Sequence, residues 1–483
     1  MIKLLIILIK LTSTLCWIHD AKVIDADLIE NNILPVNYFF VQFNNVYGLN
    51  ITHLTAVDQN LFQFSIKSNK CKRISSEKIY TGDGLFIIRF KVFEKCHNIE
   101  IDLKFRGRNL KNSPLCIKSI YPENCNCPRN LKKIQNSMKC GATYEQIKED
   151  LKPFEKINFT ELKTYAKKNF QDSRHSSVCN YVIKENKVFR KCYGKYVGFK
   201  MFMDSILLSL TRKAILPDVE FFINLGDWPL IKKSAKNGEK FPMFSWCGSQ
   251  ETFDIVIPTY DLTESTLNMQ YRVVLDILSV QKEKYHWNDK INKAFFRGRD
   301  SRRERLDLVT LAKQFPQLFN SSITNFFFYT DEIDTYGPKS SHISFFDFFE
   351  YKYQINVDGT VAAYRFPYLL AGNSAVLKQD SQYYEHFYRH LKPFVHYIPF
   401  NRDPKIDLVE KVKWLKENEN EAKKITKAST QFVRDNLLPR NTFCYFFSVL
   451  EKFADKIVSK IEVDNDMELV SDDKNIECSC KNL

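Results

Sequence analysis

Beyond its first residues the chain has no run of about 18 uninterrupted apolar positions, the length that a membrane-spanning helix needs. The mature protein is therefore expected to be soluble, with no membrane insertion. No G-x-x-x-x-G-K-[ST] loop occurs, which argues against a P-loop nucleoside triphosphatase. No G-x-S-x-G elbow occurs either. Zinc-finger, RNP-like and basic-zipper patterns are missing, and basic residues are spread along the chain, so nucleic acid is not an expected partner. No internal repeat stands out. Asp-x-Asp occurs only as Asp25-Ala26-Asp27 and Asp464-Asn465-Asp466, both outside the region where a nucleotide site is expected.

What is present begins with a short positive start, Met1-Ile2-Lys3, and an apolar stretch broken at Lys10. Residues 1–16 read as a signal peptide, cut near Cys16. Loss of Cys16 leaves twelve of the thirteen cysteines, an even number that suggests disulfides in a secreted chain. Cys125-Asn126-Cys127 and Cys478-Ser479-Cys480 have C-x-C spacing, a poor match to the C-x₂₋₄-C of zinc sites. No metal site is expected. Sequons at Asn50, Asn158 and Asn320 are candidate glycosylation sites and suit a lumenal chain. Lys+Arg exceeds Asp+Glu by 71 − 57 = 14, which favours an anionic ligand such as the phosphates of a small molecule. Hydrophobic residues make up 44%, enough for a sizeable core, and the 40 phenylalanines are expected mostly inside it.

Four regions follow from patterning. Residues 24–122 read as all-β. Ile99, Ile101, Leu103 and Phe105 alternate with Glu100, Asp102 and Lys104, and Phe86, Ile88, Phe90 and Val92 keep the same period. An immunoglobulin-like sandwich is expected there. A linker rich in proline and cysteine spans residues 121–128. Residues 123–460 alternate strand and helix, which predicts an α/β fold with two Rossmann-like halves. Residues 461–483 read as an acidic, cysteine-containing, mobile tail.

Open α/β sheets bind ligands beyond the carboxyl ends of their strands. Three segments place polar groups there. Asp227 follows the apolar run Phe221-Phe222-Ile223 and precedes Trp228-Pro229, so it reads as a general base or as a turn-capping Asp. Arg297, Arg299, Asp300, Ser301, Arg302, Arg303 and Arg305 follow Phe295-Phe296; five arginines in nine residues suit an anion, or a solvated basic helix. Ser301 and Glu304 have capping-box spacing, and Gly298 would permit close backbone approach. In the third segment Asp358-Gly359-Thr360 predicts a turn and a helix start with Arg365 about one turn in, suited to a diphosphate or ribose.

Asn224-Leu225-Gly226-Asp227-Trp228-Pro229-Leu230, Phe244-Ser245-Trp246-Cys247-Gly248-Ser249, Arg297-Gly298-Arg299-Asp300-Ser301-Arg302 and the segment from Tyr353 to Arg365 resemble the Rumi-like protein O-glucosyltransferases. The resemblance covers nearly the whole mature chain and is nearest to the KDEL-motif-containing branch, which has an N-terminal filamin-type domain. It implies a GT-B fold, a UDP-sugar donor, no metal cofactor, inversion at the anomeric carbon, and serines of folded EGF-like repeats as acceptors. Asp227 would be the base. Arg297, Arg299, Asp300, Ser301, Arg305, Thr360, Val361, Ala362, Ala363, Tyr364 and Arg365 would bind the UDP-sugar, with Trp228, Ser245 and Gly248 near the substrate. The expected location is the endoplasmic reticulum lumen. The chain ends Cys480-Lys481-Asn482-Leu483 rather than in a KDEL-type signal, which leaves secretion open. UDP-xylose in place of UDP-glucose, or a non-catalytic lumenal binding protein, are the alternative readings.

Overall fold

The computed structural model describes residues 20–471 except 27–28, 30–33, 46, 52–53, 69–70, 72, 83, 121, 123–127, 142–143, 172–176, 235–239, 268–277 and 279–283. The signal-peptide reading, Asp27, the linker cysteines Cys125 and Cys127, and the tail cysteines Cys478 and Cys480 fall outside the described residues. The chain forms two compact units. The first holds the described residues up to Pro122 with Leu278 and Lys284, and the second holds the rest.

In the first unit one antiparallel sheet has the order Asp20–Ile24, Asn37–Asn44, Leu85–Val92, Ile74–Gly82. The other joins Phe62–Ser68, Cys96–Phe105 and Arg108–Asn109, with Leu115–Ile120 also on Cys96–Phe105. Phe39, Phe43 and Phe86 from one sheet share a core with Phe62, Ile101 and Leu103 from the other. Cys96–Phe105 buries every second residue from Ile99 on, as its period-two pattern predicts. Leu85–Val92 does not alternate: Ile87 and Arg89 are as buried as Phe86 and Ile88, so this strand is covered on both faces. Cys71 and Cys96 are disulfide-bonded, and Cys116 is free.

The second unit contains two large sheets. The strands of the first lie in the order Ile255–Val256, Met243–Ser245, Val219–Asn224, Ser177–Lys184, Lys187–Gly194, Glu468–Leu469. Its first three strands are parallel, but Ser177–Lys184 and Lys187–Gly194 form an antiparallel hairpin with Cys179 bonded to Cys192 across it. This half is therefore a mixed sheet, with a parallel part of three strands and an antiparallel hairpin beside it. The second sheet is wholly parallel, in the order Phe319–Asn325, Ile291–Arg299, Tyr351–Asn356, Ala375–Gln379, Ile398–Phe400. Parallel strands buried on both faces carry continuous apolar runs, which is why Ala294-Phe295-Phe296 and Ala375-Val376-Leu377 are legible as strands.

The closing helices are Pro404–Glu417, Glu419–Asn436 and Pro439–Ala454. The last returns to the first sheet: Phe453 packs edge-to-face on Phe244, and Tyr445 Oη donates to Val256 O at 2.9 Å. A disulfide joins this helix, through Cys444, to Cys140. Residues 461–471 depart from the mobile-tail reading. Asp464 pairs with Lys163 and Asp466 with Lys191, while Glu468 binds Arg190 on the strand that Glu468–Leu469 extends. The acidic character of the segment is matched by the basic edge it covers.

Candidate active site

Loops at the carboxyl ends of both sheets line one cavity of about 550 Å³ in the second unit. Asp227 enters from the segment after Val219–Asn224. Arg299 closes the strand Ile291–Arg299, Asn325 closes Phe319–Asn325, and residues 359–365 follow Tyr351–Asn356. This is where an α/β sheet offers a site.

The turn carrying Asp227 is held from behind. Asn224 Oδ1 accepts from Gly226 N at 3.0 Å, and its Nδ2 donates to Trp228 O at 2.6 Å. Trp246 Nε1 donates to Leu225 O at 3.4 Å, and Cys247 Sγ donates to Asp227 O at 3.3 Å. Asp227 is exposed and lines the cavity. The protein around it raises its pKa by displacing water, and Arg299 opposes that rise. Burial keeps the neighbouring Cys247 thiol protonated.

The arginines divide into different duties. Arg305 is buried. Its Nε donates to Asp358 O at 2.7 Å, and its terminal nitrogens donate to Val357 O at 3.2 Å and Arg299 O at 3.1 Å. Burial, reinforced by Arg365, brings its pKa down to about 9. Arg302 donates to Gly359 O at 2.6 Å and Thr360 O at 3.1 Å. Together Arg302 and Arg305 hold the carbonyls of residues 357–360, shaping the loop that lines the cavity. Arg365, just before the helix Phe366–Ala371, donates to Arg297 O at 2.6 Å and ties that segment to the strand Ile291–Arg299. Arg297 turns its guanidinium to Asn320 instead, donating to Asn320 Oδ1 at 2.7 Å and Asn320 O at 3.0 Å. Among the described residues no hydrogen bond or ion pair holds the Arg299 side chain, which lies over the Phe327 ring.

Several sequence expectations change here. Asp300 is fully buried and binds main-chain N–H groups of Phe327, Phe328 and Tyr329, so it does not line the cavity. The Ser301–Glu304 capping box does not form: the helix Arg303–Gln314 has Arg302 at its N-cap and no side-chain cap. Ser301 lines the cavity and lies 3.4 Å from an Arg305 nitrogen. Arg365 is the N-cap of the helix Phe366–Ala371 rather than a residue one turn inside it. Gly298 gives clearance to side chains: a Cβ there would lie 3.0 Å from Phe296 and 3.2 Å from Arg305. Thr360, Val361, Ala362, Ala363 and Tyr364 line the cavity.

Ser245 and Gly248 lie behind the site. Ser245 Oγ donates to Asp254 Oδ1 at 2.6 Å, and Asp254 accepts from Leu230 N and Ile231 N at 2.8 and 2.9 Å, which anchors the chain after Trp228-Pro229. Trp228 is exposed, with its ring edge-on to Tyr383. Of the sequons, Asn50 is exposed and Asn158 caps the helix Phe159–Phe170. Asn320 Nδ2 already donates to Tyr351 Oη at 2.6 Å.

Tyr260, Asp261, Asn325, His342 and Phe345 also line the cavity, and no local pattern marks them. Tyr260 packs edge-on against Tyr364 and Trp246, so an aromatic wall stands beside Asp227. The others come from separate elements, the helix Tyr260–Leu267, the strand Phe319–Asn325 and the segment from His342 to Phe345, which only the tertiary fold gathers.

A cavity whose lining carries the carboxylate of Asp227 and the uncommitted guanidinium of Arg299, between two sheets, suits transfer of a group from an anionic leaving group. Residues 135–483 match glycosyl transferase family 90. The chain belongs to that family. This glycosyltransferase is 45% identical over 457 residues to Protein O-glucosyltransferase 2 of Danio rerio, covering 93% of this chain and 90% of the relative. It is 45% identical over 459 residues to Protein O-glucosyltransferase 3 of Homo sapiens, with 93% and 90% covered. Protein O-glucosyltransferase 1 of Homo sapiens is 27% identical over 329 residues, covering 66% of this chain and 81% of the relative. The first two matches extend through the β-unit as well as the transferase unit.

Proposed function

We propose that this protein is a protein O-glucosyltransferase that moves glucose from UDP-glucose to a serine of a folded EGF-like repeat. The observation that carries the reading is Asp227 and Arg299 on the walls of one cavity. The relatives' names agree with protein O-glucosylation. In this reading the mixed and parallel sheets are the two halves of a GT-B transferase, and the β-unit is a filamin-type domain. The enzyme works in the endoplasmic reticulum lumen.

The mechanism follows from the positions of the charges. Asp227 accepts the proton of the acceptor serine as its Oγ bonds to the anomeric carbon. The bond from that carbon to the diphosphate oxygen breaks, and UDP leaves with the electron pair. Attack opposite the leaving group turns an α-linked donor into a β-linked product. Arg299 and the partial positive charge at the start of Arg303–Gln314 stabilise the negative charge that develops on the diphosphate. Arg299 and a helix end supply this stabilisation, and the proposed step is written without a metal ion.

Mass spectrometry of a folded EGF repeat, incubated with the protein and either UDP-glucose or UDP-xylose, tests the proposal. A hexose on serine is expected. A pentose alone would replace the donor and keep the mechanism. No mass shift with several repeats, together with no UDP binding, would overturn the enzyme reading.

A further inference from the structure

Arg299 and Asp300 are neighbours in sequence with opposite environments. The fully buried Asp300 accepts from Phe327 N at 2.9 Å, Phe328 N at 2.8 Å and Tyr329 N at 2.7 Å. Its own N–H donates to Asn325 O at 3.2 Å. A carboxylate shared by three successive amides makes charge-assisted bonds and fixes the backbone of that loop. The loop then holds out the ring of Phe327, which is 62% exposed. An exposed phenyl ring on a rigid loop calls for a role, and the guanidinium of Arg299 lies 5.8 Å from its centroid, within cation–π reach.

The contrast with the other arginines is informative. Arg297, Arg302, Arg305 and Arg365 each give N–H groups to main-chain oxygens. An arginine engaged in that way is held by its bonds. Arg299 has no such bond among the described residues, yet it lines the cavity. A long side chain with several rotatable bonds would pay a large ordering cost on binding unless something else restrained it. Stacking on a ring restrains it while leaving its N–H edges open to an anion.

We propose that Phe327 is a positioning residue for the donor diphosphate: anchored through Asp300, its ring holds the Arg299 guanidinium at the cavity wall with the N–H groups free for phosphate oxygens. This rests on the UDP-sugar reading above and adds a residue that lies outside the cavity lining.

The test is calorimetric titration of the full-length protein with UDP as the probe. It uses the wild type, Phe327→Ala, Phe327→Tyr, Arg299→Gln and the double variant Phe327→Ala/Arg299→Gln. Phe327→Ala is expected to weaken UDP binding about two- to five-fold, the range an exposed cation–π contact supports. Phe327→Tyr should bind like the wild type. In the Arg299→Gln background Phe327→Ala should add nothing, because the partner it positions is gone. Unchanged affinity in Phe327→Ala, or the same loss with and without Arg299, would overturn the inference while leaving the donor reading in place. A wild type that binds no UDP would overturn the donor reading itself, and this inference with it.

Discussion

The thiol of Cys247 donates to the main-chain oxygen of Asp227 across 3.3 Å. Cys247 is completely buried, and burial holds its pKa well above the usual thiol range, so it acts as a donor and not as a nucleophile. Its place is behind the carboxylate that faces the cavity. Cys247→Ala should loosen the turn that carries Asp227 and lower the single-turnover rate about ten-fold, since small displacements of a reacting group are costly. UDP affinity should stay unchanged. Rate and affinity falling together would show that the residue supports the whole cavity instead.

Asp227→Asn keeps the size of the side chain and removes its capacity to take a proton. Turnover on a folded EGF repeat should drop about 10²- to 10⁴-fold, the span of general-base contributions. UDP binding by calorimetry should remain. Full activity in this variant would remove Asp227 from the mechanism.

A pH profile separates the two influences on Asp227. Burial raises its pKa, and Arg299 lowers it. A base must be deprotonated, so kcat/KM should fall on the acid side as pH drops through this pKa. Arg299→Gln leaves the effect of burial unopposed. The acid limb of the profile should therefore move to higher pH, whatever the loss in overall rate. A limb that stays in place or moves to lower pH would contradict the assignment.

Gly248 makes a stability prediction. It lies in the short strand Gly248–Ser249 paired with Tyr383–Tyr384, and a Cβ there would sit 2.6 Å from the Tyr384 ring and 2.7 Å from Val256. Gly248→Ala should destabilise the protein by about 1–3 kcal/mol, as overpacked interiors do. A thermal melt with and without UDP checks it. An unchanged melting temperature with lost activity would return Gly248 to the substrate side.

The parallel sheet was legible because its strands are buried on both faces and so carry unbroken apolar runs. The hairpin Ser177–Lys184 and Lys187–Gly194 was not, because lysines and an asparagine interrupt its pattern while cross-strand pairing sets its structure. The acidic stretch 461–471 looked like a solvated tail, since its partners Lys163, Lys191 and Arg190 lie some 275 or more residues earlier in the chain.

By itself the sequence determined the α/β character of the larger unit and the period-two strand Cys96–Phe105. It also marked Asp227 and the arginine-rich strand end as the chemistry-bearing segments. These are local properties, set by side-chain periodicity and by unusual residue density. The tertiary structure alone decided which of those residues face the cavity. Asp300, Ser245 and Gly248 turned inward to hold loops, because a buried carboxylate needs donors and a close strand pair needs a side chain without a Cβ. Arg302 and Arg305 became clamps on carbonyls, and Arg299 remained open. That division depends on where each guanidinium finds a partner, and those partners come from loops far apart in the chain.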